Sequence, residues 1–513
     1  MKIQIEKISL KDHNNKTLDV EGIIDAVSQT GGPTLFVLND GSGTLMLKGF
    51  EKPGIRAYPQ IAENDIVKAT VKIREYQEAL EGEIIKILKL QDKAANLARD
   101  EIEKAERFRA EIALPEFLVN SELLGKLRPY FIKAATEIRL AIIKNKPIIV
   151  RHHNDTDGYS SGFAMERAII PLIVKQHGGG KAPWEFYTRS PSATPFYGIE
   201  DSIKDTANSL SDVAKFSNKM PLVIIVDTGS GEESLLGIRQ GKVHGSEFIV
   251  IDHHFYNKDV TSNEVLVHIN PFVVGEDGMK FSAGMLCSEL ARFINPDINV
   301  DYIPALSGLA DRIDNPPIIQ SYLDLAAKHG YTKELLLDIS AVIDFVSTKL
   351  RFMEAREYIE VLFGEPMQKQ KTLVSLMAPY IRNMEKNSLE IAKSAVKREK
   401  IGRITLQILE IESTFSRNAY PKPGKVNGSL HDYAQTADNL ENVVSIGLMN
   451  DVMTIRATES TKFSIHEAIK YLSKSVPEAF IEGGGHKIAG ALKFVPARKE
   501  KILASFKKYL SAL

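Results

Sequence analysis

The chain has 513 residues, more than one hydrophobic core normally serves, so we expect about three domains. Its formal net charge is −1, with 43% hydrophobic and 26% charged residues. This composition excludes a disordered or fibrous chain, and any surface for a polyanion must be a local patch. The single cysteine, Cys287, excludes an intrachain disulfide and a thiolate metal cluster.

The first residues, "MKIQIEKISLKDHNN", alternate apolar and charged side chains and lack the apolar stretch of a signal peptide. No apolar run in the sequence has the length of a membrane-spanning helix. These features predict a cytoplasmic protein with no membrane partner.

Residues 1–92 read as short strands rich in β-branched side chains, interrupted by turns such as Gly31-Gly32-Pro33 and Asp40-Gly41. They predict a small β-barrel. The succession of a long strand, a tight hairpin and a later strand pair is typical of an oligonucleotide/oligosaccharide-binding (OB) barrel. The alternatives are an SH3-like barrel and a generic β-module.

The rest of the chain predicts a multidomain α/β protein. Residues 93–140 are charged and helical, and form a predicted connector. Residues 141–325 alternate short apolar runs with helices, which predicts a doubly wound parallel sheet. Residues 326–398 predict a second helical connector. Residues 399–513 predict a smaller α/β domain, with a helix at 464–474 followed by a glycine-rich loop.

Three predicted parallel strands end in potential metal ligands. They are "PIIVRHH", "PLVIIVDTG" and "EFIVIDHH", and the polar residues at their ends are His153, Asp155, Asp157, Asp227, Asp252, His253 and His254. The carboxyl ends of parallel strands open onto one crevice. Carboxylates crowded there need a compensating cation. A mixed set of carboxylates and imidazoles suits Mn²⁺ well and Mg²⁺ less well, and would also accept zinc or cobalt.

These motifs resemble the DHH phosphoesterase superfamily, whose Asp-His-His triplet matches residues 252–254. Residues 153–158 are similar to its first motif, Asp227 to its second, and Asp311 in "LSGLADRIDN" to its fourth. "EGGGHKIAGA", at 482–491, resembles the signature of the DHH-associated C-terminal domain. The likeness covers roughly residues 145–513, and the first motif is most similar to archaeal RecJ-like single-strand nucleases. It implies that 141–325 is catalytic and that 399–513 binds substrate.

The resemblance also implies two divalent ions per active site, Mn²⁺ or alternatively Mg²⁺. One would be held by His153, Asp155 and Asp227. The other would be held by Asp157, Asp227, His253 and Asp311, so that Asp227 bridges the two. His152 also adjoins the first motif; we favour His153 as the ligand.

Further roles follow from the same resemblance. Asp252 is expected to hold His253 in its ligating tautomer, and His254 to face the scissile phosphate as a hydrogen-bond donor or acid. The expected substrate contacts are Gly483, Gly484, Gly485, His486 and Arg456. Backbone N–H groups of the glycines can approach a phosphate closely. A surface salt bridge is the alternative for Arg456.

These observations favour a two-metal exonuclease that degrades single-stranded DNA or RNA from an end to mononucleotides. The alternatives are an oligoribonuclease or short-nucleotide phosphatase of the same superfamily, and a scaffold in replication or helicase assemblies. Replication or helicase proteins are expected partners by family analogy. The basic segment 393–425 is either a solvated face or a phosphate-tracking surface.

Overall fold

The protein is described from a computed structural model that covers residues 3–76, 79–112, 114–177, 180–192, 196–216, 219–255, 261–350, 356–416 and 419–513. Over these ranges the strands form a closed barrel, a five-stranded sheet and a six-stranded sheet. The multidomain α/β fold predicted from the sequence is confirmed.

The barrel has five strands in the order β1-β2-β3-β5-β4. Their bounds are β1 Thr17–Gln29, β2 Thr34–Asn39, β3 Thr44–Gly49, β4 Ile66–Tyr76 and β5 Ala79–Lys89, preceded by α1 Leu10–His13. The first half of β1 pairs with β4 and the second half with β2, so this long strand closes the barrel. Alternate residues such as Val20, Phe36 and Leu47 fill its interior. This strand order fits the predicted OB-like barrel.

Two helices follow the barrel, α2 Asp92–Ala110 and α3 Glu122–Ile143. Helix α2 packs Ala98 and Ile102 against Ile66 of the barrel. Helix α3 instead buries Leu124 and Phe131 in the core of the central unit. The predicted connector therefore contributes α2 to the barrel and α3 to the central unit.

The central sheet is entirely parallel, in the order β10-β9-β8-β6-β7. Its strands are β6 Ile148–His152, β7 Tyr187–Pro191, β8 Leu222–Val226, β9 Glu247–Ile251 and β10 Val267–Ile269. Between them lie α4 Thr156–His177, α5 Ala182–Glu185, α6 Ile199–Phe216 and α7 Leu235–Val243. Ile148 and Ile149 belong to separate cores on opposite faces of the sheet, because successive side chains of a strand alternate. This is the predicted doubly wound arrangement.

Helices continue the chain beyond the sheet. They are α8 Ala283–Ile294, α9 Ile303–Ala310, α10 Pro316–Lys328, α11 Lys333–Leu350, α12 Arg356–Leu362 and α13 Met367–Ala395. Leu336 and Ile343 of α11 join the central core, so this helix packs into the central unit. In the described part of the chain, the helices are too short or too polar to cross a membrane.

The C-terminal sheet has the order β11-β12-β13-β14-β16-β15. Its strands are β11 Lys397–Ile401, β12 Ile404–Glu410, β13 Val443–Leu448, β14 Val452–Ala457, β15 Glu482–His486 and β16 Ala489–Lys493. The helices are α14 Ile411–Thr414, α15 Pro423–Thr436, α16 Ile465–Ser475 and α17 Lys499–Ser511. The helix predicted at 464–474 corresponds to α16.

The predicted glycine-rich loop is wrong, since its residues form the edge strand β15 and its neighbour β16. Glycine is needed there because the two backbones approach very closely. A Cβ on Gly483 would lie 2.3 Å from the carbonyl oxygen of Ala491, and one on Gly485 would lie 2.5 Å from that of Ala489.

Candidate metal centre

The first-motif loop follows β6 and runs directly into α4. His153 and Asp155 lie in the loop, whereas Asp157 lies in the first turn of the helix. Asp155 accepts a hydrogen bond from the backbone N–H of Gly158 at 3.0 Å and so caps the helix. A Cβ on Gly158 would lie 2.1 Å from the carbonyl oxygen of His153, so this tight turn requires glycine.

The two histidines of this motif point to different places. His152 is fully buried, its ring packs edge-on against Tyr159, and burial lowers its pKa to about 3. His153 faces the acidic residues, with Nδ1 2.7 Å from Asp155 Oδ2 and 3.5 Å from Asp227 Oδ2. Burial lowers the pKa of His153, but Asp155 and Asp227 more than offset this and raise it to about 10. The geometry favours His153 as the ligand.

Asp227 lies between the two halves of the centre. It directly follows β8 in the left-handed conformation, with φ of 57°, which is uncommon outside glycine but accessible to aspartate. Its backbone N–H donates to Ile251 of the next strand at 2.9 Å, which helps to hold the turn in place. Its buried carboxylate has Oδ2 toward His153 and Oδ1 3.6 Å from His253 Nε2. The carboxylate thus faces both imidazoles, as expected for the bridging ligand that the resemblance implies.

The second half of the centre is built around His253. Its Nε2 atom lies 3.2 Å from Asp311 Oδ2 and 3.8 Å from Asp157 Oδ2. Asp311 caps the C-terminal end of α9. The carboxylate of Asp157 accepts hydrogen bonds from the backbone N–H groups of Ala283 and Gly284, at 3.0 and 2.8 Å. These donors are at the N-terminus of α8, which stabilises a negative charge.

The donor set fits divalent cations. Burial and the charges of Asp157 and Asp155 raise the pKa of Asp227 well above its usual range, and burial also raises that of Asp311. Three of the predicted ligand atoms are buried and have no hydrogen-bond partner among the described residues: Asp227 Oδ2, His253 Nε2 and Asp311 Oδ2. Groups of ligand atoms within 4.8 Å of one another include His153, Asp155 and Asp227, and Asp157, Asp227 and His253. Such a set of carboxylates and imidazoles can hold Mn²⁺ or Mg²⁺.

The predicted contact between Asp252 and His253 is wrong. Asp252 Oδ1 lies 2.8 Å from Nδ1 of His254, while Nδ1 of His253 faces the carbonyl oxygen of Gly278 at 3.2 Å. The reason is local: Asp252 Oδ1 also accepts the backbone N–H groups of both histidines, so the chain turns around this carboxylate and brings His254 beside it. The Gly278 carbonyl therefore orients His253, and Asp252 orients His254.

The C-terminal unit covers the centre and encloses a cleft of about 1020 Å³. The ring of His486 lies 4.7 Å from that of His254, nearly parallel to it, and 5.0 Å from that of His253. Arg456 of β14 also lines the cleft, together with the three glycines of β15. The sequence-predicted substrate residues therefore face the sequence-predicted metal ligands.

Comparison with known proteins identifies the family. Residues 147–310 match the DHH family, N-terminal domain. The chain is 34% identical over 534 residues to the uncharacterized protein MJ1198 of Methanocaldococcus jannaschii, covering 98% of this chain and 70% of that protein. The chain belongs to the DHH family.

Solved structures support this DHH assignment. The DHH domain of PF0399, a member of the s1p family of ribosomal proteins, is 34% identical with a TM-score of 0.76, covering 82% of this chain and 98% of that one. RecJ from Thermus thermophilus in complex with Mn²⁺ is 16% identical with a TM-score of 0.53, covering 81% of this chain and 59% of that one. RecJ shows the shared fold. The chain is therefore a DHH-family protein that shares the fold of RecJ and carries an OB-like barrel before its DHH domain.

Several residues in or beside the cleft were not predicted as part of the site from the sequence. Glu233 follows Asp227 in "DTGSGEES", where the acids suggest only a helix cap. Phe255 and His466 come from different units, and their rings lie 4.4 Å apart. Lys422, in the predicted basic segment, donates to the backbone carbonyl of Asn154 in the first-motif loop. A single sequence carries no pattern that reveals contacts between residues so far apart in the chain.

Proposed function

We propose that this protein is a metal-dependent phosphodiesterase that removes nucleotides from an end of single-stranded DNA or RNA. The observation that carries the proposal is the position of Asp227. One of its oxygens faces His153 and the other faces His253, and each imidazole lies within 4 Å of a further carboxylate. One carboxylate between two ligand groups is suited to bridge two divalent ions.

The ligands would be the six residues named from the sequence: His153, Asp155, Asp157, Asp227, His253 and Asp311. When bound, a pair of divalent ions lowers the pKa of water and stabilises the attacking and leaving oxygens of an in-line displacement. The chain's own contribution is to fix the ligands. Asp157 is held at the N-terminus of α8, and Asp155 is held by the turn at Gly158.

His254 is placed to exchange a proton with the substrate. Its Nδ1 atom is hydrogen-bonded to Asp252, which leaves Nε2 for a phosphate or leaving oxygen. Burial lowers the pKa of His254, but the charge of Asp252 and the hydrogen bond to it raise the pKa above the usual value. A protonated His254 would donate to the leaving oxygen as a general acid. His486 stacks on this ring and closes the site from the C-terminal unit.

The barrel favours a polymer as substrate, because OB folds commonly bind single strands. The charge of the cleft instead favours a short substrate with few phosphates. Outside the metal centre its acidic side chains outnumber its basic ones: Glu200, Asp201, Glu232, Glu233, Glu467 and Glu482 against Arg456, Lys470 and Lys493. Such a wall repels a run of phosphates. An oligoribonuclease or short-nucleotide phosphatase is therefore the second candidate. Replication or helicase proteins as partners rest on family analogy alone.

The test is digestion of end-labelled DNA and RNA with Mn²⁺ or Mg²⁺, over lengths from dinucleotides to strands that reach the barrel. The wild type should release mononucleotides, and Asp227→Ala should lose at least about a thousandfold in rate. Asp324→Ala, which removes an exposed carboxylate, is the matched control. Rates that rise with length favour the exonuclease, and rates that are highest on dinucleotides favour the second candidate. Equal digestion by Asp227→Ala and the wild type would refute both.

A further inference from the structure

His268 is a buried histidine outside the metal centre. It is the middle residue of β10, which pairs with β9, and it is 3% exposed. Its neighbours Val267 and Ile269 pack in the central core, so the side chain of His268 lies on the opposite face of the sheet. A buried imidazole costs more than an apolar side chain unless its nitrogens are hydrogen-bonded. The hydrogen bonds of His268 therefore indicate its role.

Both ring nitrogens of His268 are hydrogen-bonded to serines. Nε2 lies 2.9 Å from the hydroxyl of Ser230, which follows β8, and Nδ1 lies 2.9 Å from the hydroxyl of Ser262. Burial lowers the pKa of His268 to about 4, so the ring is neutral at physiological pH. A neutral imidazole has one donor and one acceptor nitrogen, and a hydroxyl can match either. The two bonds therefore fix the ring between two loops.

Ser230 connects His268 to Asp252. The backbone N–H of Ser230 donates to Oδ2 of Asp252 at 3.0 Å, whereas Oδ1 of the same carboxylate lies beside the ring of His254. The backbone carbonyl of Ser230 accepts a hydrogen bond from the hydroxyl of Thr261 at 2.9 Å. The hydroxyl and the carbonyl of Ser230 are thus held from the side of β10, and its N–H is directed at Asp252.

Asn270, two residues after His268, adds a second connection. Its side-chain amide nitrogen donates to the hydroxyl of Ser230 at 2.9 Å and to the backbone carbonyl of His254 at 3.0 Å. Its Oδ1 atom accepts a hydrogen bond from the backbone N–H of Phe272, which fixes the orientation of the amide. The hydroxyl of Ser230 is therefore linked to His268 on one side and to the backbone of His254 on the other.

We infer that His268 is a positioning residue for His254, the proton donor of the proposed reaction. It acts through Ser230, whose N–H holds Oδ2 of Asp252 while Oδ1 holds the ring of His254. This inference rests on the proposed function and deepens it, because it makes proton transfer to the leaving oxygen depend on His268. Removing the imidazole should slow the departure of a basic leaving group and leave Mn²⁺ binding intact.

The experiment uses leaving groups of different basicity. A sugar alkoxide needs a proton as it leaves, whereas 4-nitrophenolate is a far weaker base and leaves without one. Single-turnover rates are measured with saturating Mn²⁺ on a uracil dinucleotide and on the 4-nitrophenyl ester of uridine monophosphate. The reference His254→Ala should lose at least about a hundredfold on the dinucleotide and little on the ester. His268→Leu should lose about tenfold on the dinucleotide and less than about twofold on the ester.

Three further variants separate positioning from a structural role. Ser230→Ala breaks the same link with a smaller change in volume and should show the same difference between the substrates. His268→Gln keeps one donor and one acceptor group and should retain at least about a third of the wild-type rate on the dinucleotide. His177→Leu removes a half-buried imidazole that stacks on Phe186 at the far end of α4, and should behave as the wild type. Equal losses on both substrates in folded His268→Leu or Ser230→Ala, or no loss on the dinucleotide, would overturn the inference.

A spectroscopic readout separates this inference from the proposed function. In protein labelled with ¹⁵N at histidine, with Mg²⁺ present, the Nδ1–H of His254 should give a signal because Asp252 protects it from exchange; His254→Ala identifies that signal. His268→Leu and Ser230→Ala should weaken it, and His177→Leu should not. If the wild type hydrolyses neither substrate but the signal responds in this way, only the proposed function fails. A signal unchanged in His268→Leu and Ser230→Ala would overturn the inference even if the wild type is an active nuclease.

Discussion

The carboxylate of Asp344 caps the helix that begins at Thr156. Its Oδ1 atom accepts hydrogen bonds from the backbone N–H of Thr156 at 3.2 Å and from its hydroxyl at 2.8 Å. Its other oxygen lies 3.2 Å from Lys425 of α15. A residue of α11 therefore ties the first-motif loop, which carries His153 and Asp155, to the C-terminal unit.

Replacing Asp344 should loosen that loop. We expect Asp344→Ala to lower the free energy of unfolding by about 1–2 kcal/mol, because a helix cap is lost. We also expect Mn²⁺ affinity to fall about ten- to a hundredfold, as for other residues that orient metal ligands. Calorimetric titration with Mn²⁺ measures the second effect. Asp338→Ala, which removes a carboxylate of the same helix that pairs with Arg382, is the control, and equal Mn²⁺ affinities in the two variants would contradict this role.

Replacing His153 and replacing His152 should have different effects on the number of Mn²⁺ ions bound. His153→Ala removes a ligand, so we expect the number of Mn²⁺ ions bound per chain to fall from two to one. His152→Ala should leave two ions bound but lower the free energy of unfolding by about 2–4 kcal/mol, because it empties a buried site beside Tyr159. Two bound ions in His153→Ala would show that the assignment is wrong.

Much of the fold follows from local patterns in the sequence. Runs such as Leu222–Val226 are apolar at every position, which in a soluble protein indicates a strand covered on both faces. Because the ends of parallel strands share one edge, the same pattern predicts that Asp227 and Asp252 lie near one another. The helix at 464–474 was predictable for a similar reason: its apolar residues recur along one face.

The sequence could not predict contacts that depend on a local turn or on two distant segments. Asp252 precedes both histidines in the sequence, and only the geometry of the turn shows that its carboxylate is hydrogen-bonded to the ring of His254. The three glycines of β15 suggest a loop, since glycine usually marks one. Their close approach to β16 becomes visible only in the sheet. Glu233 likewise meets Gly484 across two units.

Glu289 should make stability depend on pH. This buried residue of α8 accepts hydrogen bonds from the backbone N–H of Leu118 and from the hydroxyl of Tyr322, and burial raises its pKa to about 7 from 4.5. The folded state therefore binds the proton more tightly. The stabilisation is complete below pH 4.5 and is lost as the pH rises to 7, a change of about 3 kcal/mol.

Urea unfolding between pH 4.5 and pH 8 checks this prediction against Glu289→Gln. The free energy of unfolding of the wild type should fall relative to that of the variant over this window. Glu122→Gln changes an exposed glutamate and should follow the wild type. Parallel curves for the wild type and Glu289→Gln would contradict the buried, protonated state.

The glycines of β15 should differ in their tolerance of a methyl group. Gly483→Ala and Gly485→Ala place a Cβ against the backbone of β16, so each should lower the free energy of unfolding by about 2 kcal/mol or more. Gly484→Ala meets only the end of the flexible Glu233 side chain, and should cost no more than about 0.5 kcal/mol. Urea unfolding of the three variants tests the order, and a larger loss in Gly484→Ala would refute this account of the strand.

The most direct measurement is an anomalous difference map from crystals of the protein grown with Mn²⁺. We predict two peaks in each chain: one among His153, Asp155 and Asp227, and one among Asp157, Asp227, His253 and Asp311. The carboxylate of Asp227 should lie within ligand distance of both peaks. A single peak away from Asp227, or no peak with these side chains paired to one another, would contradict a bridged two-metal centre and the phosphodiesterase function proposed from it.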